Sequence, residues 1–301
     1  RQDLYRRDFT INAMAVSLKG DDFGRLVDYF GGRDDLERGV VRVLHSLSFI
    51  DDPTRIFRAI RYESRYGFRM DAHTLSLARA CIDMGLVGEL STARLRDELV
   101  LLLSEEDVGD AILRLSEIGL AGPIHPHLAA DAETVALIER VDAIRARVAP
   151  GEERWRLRLA VLARRLPPEE LFDWFLALKL KRRDAERIAD AVAFSPRLLA
   201  QLEDVTEAAE AQSLIAPHDP EGAILTLAAA PAGVAAAWLE RYFADLRDVE
   251  LEISGGDLAA LGLSESPRVG EVLGELLRRK LNGELDGRGA ELDAARKLIG
   301  V

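Results

Sequence analysis

The sequence predicts an α+β chain, mostly α, on three observations. Strand-like stretches are confined to the first fifty residues, helical periodicity governs the rest of the chain, and no repeat of fixed period organises the 301 residues. "FTINAMAVSL" (9–18), "GRLVDYF" (24–30) and "GVVRVL" (39–44) read as three short strands, with "GGRDDLERG" (31–39) as one or two helical turns bounded by glycines. Three lone strands make a marginal sheet. They are expected to complete one whose earlier half lies outside this sequence, which opens on Arg1 rather than Met and reads as a fragment. From residue 52 the spacing predicts helices over about 52–66, 72–84, 92–104, 106–118, 132–147, 152–165, 168–178, 182–193, 205–214 and 220–229. Breaks are expected at "GLAGPIHPHL", "VAPGEE", "LPPEE", "FSP" and "APHDP". The tail, "ISGGDLAALGLSESPRVGEVLGELLRRKLNGELDG", reads as a Gly-rich turn, a short helix, a linker and a longer helix.

Composition narrows the function classes. Hydrophobic content of 48% with 31% charge suits a globular chain with a real core. No apolar run approaches a membrane span and no signal-peptide pattern opens the sequence, so the cytoplasm is the default expectation. The single Cys81 excludes an internal disulfide framework and a cysteine-based zinc site. Five scattered histidines include "HPH" at 125–127, which reads as loop rather than as a metal pair. The net charge of −12 is unevenly spread: residues 1–100 hold 16 basic and 16 acidic side chains, leaving 24 basic and 36 acidic for the rest. A locally basic groove on an acidic chain is compatible with that balance.

One segment carries most of the chemistry. "DDPTRIFRAIR" (51–61) sets Asp51 and Asp52 ahead of Arg55, Arg58 and Arg61. At about 100° per residue the three arginines fall opposite Ile56 and Ile60, so this is a packed helix with an arginine-only outer face. A plain solvated face would mix Lys and Glu. The acids sit in the first turn, where the helix dipole favours them, and either could cap the helix with Pro53 at an early position. Caps and a surface face remain one reading of this stretch, a phosphate or nucleotide site the other.

"RRDFTINAMA", "GGRDDLERGVVRVL" and "FIDDPTRIFRAIRYESRYGF", in that order and spacing, resemble the class II tRNA nucleotidyltransferase and bacterial poly(A) polymerase family over roughly residues 1–104. The tail resembles the same family's C-terminal segment. The resemblance implies a partial nucleotidyltransferase head (1–50), a neck (51–125), a helical body (126–245) and an RNA-binding tail (246–301). It implies that Arg6, Arg7 and Asp8 contact the ribose and triphosphate. It further implies that Asp52 and Arg55 pair with the incoming base, with Asp51 beside them and Arg58 and Arg61 reaching the triphosphate. The physical sense is that a carboxylate accepts from the exocyclic amine of cytosine or adenine while a guanidinium donates to the adjacent ring nitrogen. Guanine and uracil present the opposite polarity and leave those groups unpaired.

Two departures accompany the resemblance. Asp51 stands where the family has glutamate, one methylene shorter. The paired aspartates that hold Mg2+ in the family have no counterpart here, and "GDDFG" and "GGRDDLE" lack the strand-borne acid-x-acid pattern. The expectation is therefore a chain that by itself transfers no nucleotide. The resemblance implies tRNA or another RNA 3′ end, ATP and CTP as partners, with addition of CCA or a terminal A as the activity. A poly(A) polymerase is the alternative within enzymes, and a noncatalytic helical RNA-binding scaffold the alternative outside them.

Weaker features complete the reading. Lys179, Lys181, Arg182, Arg183 and Arg187 in "LKLKRRDAER" form a basic helix start that touches RNA backbone or is simply a solvated face. Arg278, Arg279 and Lys280 fit dipole complementation at a helix end. Arg94 and Arg96 sit beside a helix of core-like leucines, and Trp155, Trp174 and Trp238 read as packing.

Overall fold

The computed structural model describes residues 2–218, 220–263 and 267–300. These form two compact units, residues 1–192 and 193–301. The division falls inside the stretch expected to be one body.

The first unit opens on little sheet. Met14–Val16 pairs antiparallel with Leu26–Asp28, and Val40–Val41 pairs parallel with Arg69–Met70. The expected single sheet of three strands is therefore corrected to two separate ladders. Within 9–18, Thr10–Asn12 is a 3-10 turn rather than strand. Thr10 is pinned there: its N–H donates to the Arg42 carbonyl (2.9 Å) and its hydroxyl to buried Asp35 (2.7 Å). Gly32 lies so close that a Cβ would stand 2.2 Å from the Thr10 carbonyl oxygen, so this turn needs glycine. Arg69–Met70 showed no strand signal because two residues cannot display alternation.

The expected helices are present. Thr54–Tyr66 buries Ile56, Phe57, Ala59 and Ile60 against Thr92–Leu103 and Gly109–Glu117. It ends at Gly67, whose φ of +68° takes the left-handed turn that side-chain-bearing residues resist. Arg154–Ala163 packs on Ala132–Val148 and on Thr92–Leu103. From it Arg158, only 1% exposed, donates to the carbonyls of Leu103 (2.9 Å), Glu105 (2.5 Å) and Glu106 (3.0 Å) and to Asp142 (2.6 Å). A single side chain thus satisfies carbonyls orphaned at a helix end.

The helix expected to stop at 193 runs on as Arg182–Leu202, with Pro196 inside it. Proline removes one ladder donor, and burial of the flanking Ala191, Val192 and Leu198 outweighs that loss. In the second unit Ala208–Ile215 packs on Pro267–Leu281, which packs on Gly287–Ile299. Ile253, Leu258, Val272, Leu276 and Ala295 form one core cluster of this unit. Val234–Arg241 and Gly287–Ile299 add helices whose bounds the spacing did not mark. Among the described residues no helix is long and apolar enough to cross a membrane.

Candidate functional site

Three chain segments converge on an open cleft of about 610 Å³ in the first unit. Arg7, Asp8 and Asn12 come from the N-terminal turn. Asp52, Thr54, Arg55, Arg58 and Tyr62 come from the start and outer face of Thr54–Tyr66, and Arg94 and Glu98 from Thr92–Leu103. The i, i+3 and i, i+4 spacings of the last two helices place each set on one face.

Contrary to expectation, Asp52 sits not in the first turn of Thr54–Tyr66 but in the break between it and a separate short helix, Ser48–Asp51, from where it holds the start of the longer helix. Its Oδ1 accepts from the Thr54 N–H (3.1 Å), the Thr54 hydroxyl (2.6 Å) and Arg94 (2.7 Å). Oδ2 of Asp52 has no protein partner among the described residues. Arg55 donates from Nη1 to the Ser48 hydroxyl (2.6 Å) and from Nη2 to the Arg6 carbonyl (3.0 Å). Both acceptors are uncharged. An acceptor and a cation one turn apart, each anchored on one side and open on the other, can read a donor–acceptor edge.

Asp8 is buried and accepts from Arg58 through Nε (2.7 Å) and Nη2 (2.5 Å), from Asn12 (2.8 Å) and from the Phe9 N–H (2.9 Å). Burial pushes its pKa up, but the Asn12 hydrogen bond, the Arg58 charge and hydrogen bonds, and the Phe9 N–H outweigh burial and hold the carboxyl below its ordinary value of 3.8. A depressed folded-state pKa means that the stabilisation is fully present above pH 3.8 and is lost as pH falls through the lower folded value. Acid unfolding of the parent and of Asp8→Asn is therefore expected to differ above pH 3.8 and to converge below it, measured by urea titration from neutral into acid. A difference that persists unchanged into acid would contradict this linkage.

Glu98 differs. Burial raises its pKa, with Arg61 and Arg58 pulling down and Asp52 pushing up. Its Oε2 is buried without a hydrogen-bond partner, with Arg61 Nη1 3.9 Å away.

The remaining site candidates lie elsewhere. Arg6 pairs with Asp3 (2.6 Å) at the surface and lends only its carbonyl. Asp51 is 57% exposed, with its Oδ2 3.9 Å from His45 Nε2, and does not line the cleft. Arg61, 15% exposed, is held by Glu105 (3.0 Å) and is not in the lining either. Lys179, Lys181, Arg182 and Arg183 belong to the same unit but do not line the cleft. Arg182 pairs with Glu186 (2.8 Å) and lies over Phe172, whereas Lys179 and Lys181 border a separate depression with Arg96 and Trp155.

The acid pairs do not fit a catalytic metal. Asp35 is committed to Thr10 and Arg42, and Asp22 to Arg25 (3.1 Å). Among the described residues no group of three or more His, Cys, Asp or Glu is placed to hold a metal ion. Asn12, Thr54, Tyr62, Glu98 and Ser48 carry no local sequence signal that would mark them as site residues. Arg94-x-x-x-Glu98 carried a helical spacing signal, but nothing local says which face of that helix meets Asp52.

Comparison with known proteins bears on the family and the fold. Residues 1–42 match the poly A polymerase head domain, and 67–131 match the probable RNA and SrmB-binding site of polymerase A. An A-adding tRNA nucleotidyltransferase of Geobacter sulfurreducens is 36% identical over 99% of this chain, which spans 35% of that relative's length. A structure of the Thermotoga maritima CCA-adding enzyme complexed with tRNA superposes with a TM-score of 0.84 at 31% identity, covering 99% of this chain and 73% of that one. A CCA-adding enzyme complexed with ATP superposes equally, at 0.84 and 31%, over 100% of this chain and 72% of that one. The matched motifs, the helical fold and its 31% identity to a CCA-adding enzyme of which it covers 73% make this chain a member of the class II tRNA nucleotidyltransferase and bacterial poly(A) polymerase family.

Proposed function

We propose that the cleft selects the incoming base for a template-independent RNA nucleotidyltransferase that adds CCA, or its terminal A, to tRNA 3′ ends from CTP and ATP. The observation that carries this reading is the half-anchored Asp52–Arg55 pair, whose open acceptor and cation complement the edge shared by cytosine and adenine. Arg7 and Arg58 supply positive charge beside it for the triphosphate, and Asp8, locked to Arg58, faces the sugar. The domain reading is a partial head over 1–50, a neck over 51–125, a body over 126–245 and an RNA-contacting tail over 246–301. A tRNA substrate fits a cytoplasmic location. The matches to polymerase A domains favour poly(A) polymerase as the second reading.

Transfer in this family calls for Mg2+, which the acids among the described residues do not fit. The 301-residue chain itself is expected to incorporate no labelled ATP or CTP into tRNA lacking its terminus. It is expected to bind CTP and ATP in preference to UTP and GTP, and to bind tRNA through phosphate contacts from Lys179, Lys181, Arg182 and Arg183. That tRNA binding should weaken steeply with salt. Equal affinity for all four nucleotides, by calorimetric titration, would sink the base-selecting cleft. Salt-insensitive or absent tRNA binding would remove the body from RNA recognition.

A further inference from the structure

Of the four cleft arginines, Arg58 and Arg94 are paired in hydrogen-bonded contact with carboxylates, by Asp8 and Asp52, and Arg7 lies 3.8 Å from Asp3. Arg55 alone has no carboxylate within salt-bridge reach among the described residues. Its two terminal nitrogens are held by a hydroxyl and a backbone carbonyl. The carboxylate that chain position suggests for it, Asp51, points to solvent and to His45, which stacks on Tyr5. Ser48 is fully buried and its backbone is fixed at both ends: its N–H donates to the His45 carbonyl (3.1 Å), and its carbonyl accepts from the Asp52 N–H (3.2 Å).

We propose that Ser48 is the positioning residue for Arg55, taking the place that Asp51 would hold by chain order. The inference rests on the base-selecting reading of the cleft. Its physical content is that a neutral acceptor aims a guanidinium without neutralising it. A bound carboxylate would occupy the charge and the donors that the incoming base requires, whereas a hydroxyl fixes one N–H and leaves the cation intact. The one-methylene shortening at Asp51 is tolerated because Asp51 does not hold Arg55. The serine hydroxyl one turn earlier does, and burial keeps water from competing for it.

The test titrates the chain with CTP, ATP, UTP and GTP separately, and with inorganic tripolyphosphate. Ser48→Ala should reduce the preference for CTP and ATP over UTP and GTP by about tenfold, towards the value for Arg55→Ala, with tripolyphosphate affinity unchanged. Ser48→Cys, which keeps the shape of the side chain with a slightly larger atom and weakens the acceptor, should give an intermediate loss. Asp51→Ala should retain the parent preference. Thermal melts of each variant separate misfolding from mispositioning, since a merely structural serine would change melting and all affinities together. If Arg55→Ala loses discrimination while Ser48→Ala and Ser48→Cys keep it, the positioning role is overturned and the base-selecting cleft stands. An Asp51→Ala loss as large as that of Ser48→Ala also overturns it. Retained discrimination in Arg55→Ala removes both the cleft reading and this inference.

Discussion

Asp52→Ala is expected to abolish the preference for cytosine and adenine while leaving tripolyphosphate affinity near that of the parent. The carboxylate provides the only acceptor in the proposed pair, and its Oδ2, unlike Oδ1, has no hydrogen-bond partner among the described residues. Removing a hydrogen-bonding partner that a bound base would cover costs roughly 2–5 kcal/mol of discrimination between a matched and a mismatched base. The substitution also releases Arg94 and removes the cap on Thr54, worth about 1 kcal/mol of helix stability. Asp52→Asn is the control for that secondary effect. It retains an oxygen for the Thr54 cap but offers donors where the carboxylate accepts, so discrimination should fall with less loss of melting temperature. The decisive measurement is the ratio of affinities for CTP and UTP. A ratio unchanged in both variants means that Asp52 is a capping residue and that the base is read elsewhere.

Arg158→Met is expected to destabilise the first unit by about 3–5 kcal/mol, because it strips donors from a buried network and leaves Asp142 without its guanidinium partner. The carbonyls of Leu103, Glu105 and Glu106 lose their donor together, at the end of the helix that also carries Arg94 and Glu98. The methionine restores most of the apolar stem volume, so the loss reports hydrogen bonding and charge more than cavity formation. Urea unfolding measures it, with Asp142→Asn as the companion. The companion should lose less, because the guanidinium keeps its three carbonyls. A shift below about 1 kcal/mol for Arg158→Met would mean that water replaces the guanidinium at that helix end.

The helices were legible because their cause is local. Ile56, Phe57 and Ile60 recur at helical spacing, and that spacing alone puts Arg55, Arg58 and Arg61 on the other arc, whatever surrounds them. The short strands were less legible. Arg69–Met70 is strand only because Val40–Val41 lies beside it, and Thr10–Asn12 is a turn only because Gly32 and Asp35 hold it. Pro196 marked an end that burial on both sides overrides.

The candidate site divides in the same way. Arg7, Asp8, Asp52, Arg55 and Arg58 were named from short motifs, and the fold gathers all five in one cleft. Sequence by itself therefore determined the helical frame, the family and the residue types that face the cleft, because periodicity and motif are properties of neighbouring positions. Only tertiary structure decided which of those side chains are open to a ligand. Glu105, 44 residues from Arg61, withdraws that arginine, and Arg94, 42 residues from Asp52, occupies one carboxylate oxygen and leaves the other open. Ser48 rather than Asp51 holds Arg55, because the turn between them points the hydroxyl inward and the carboxylate out. A side chain's charge is written in its own residue; its freedom to use that charge is set by partners that the folded chain brings within about 3 Å.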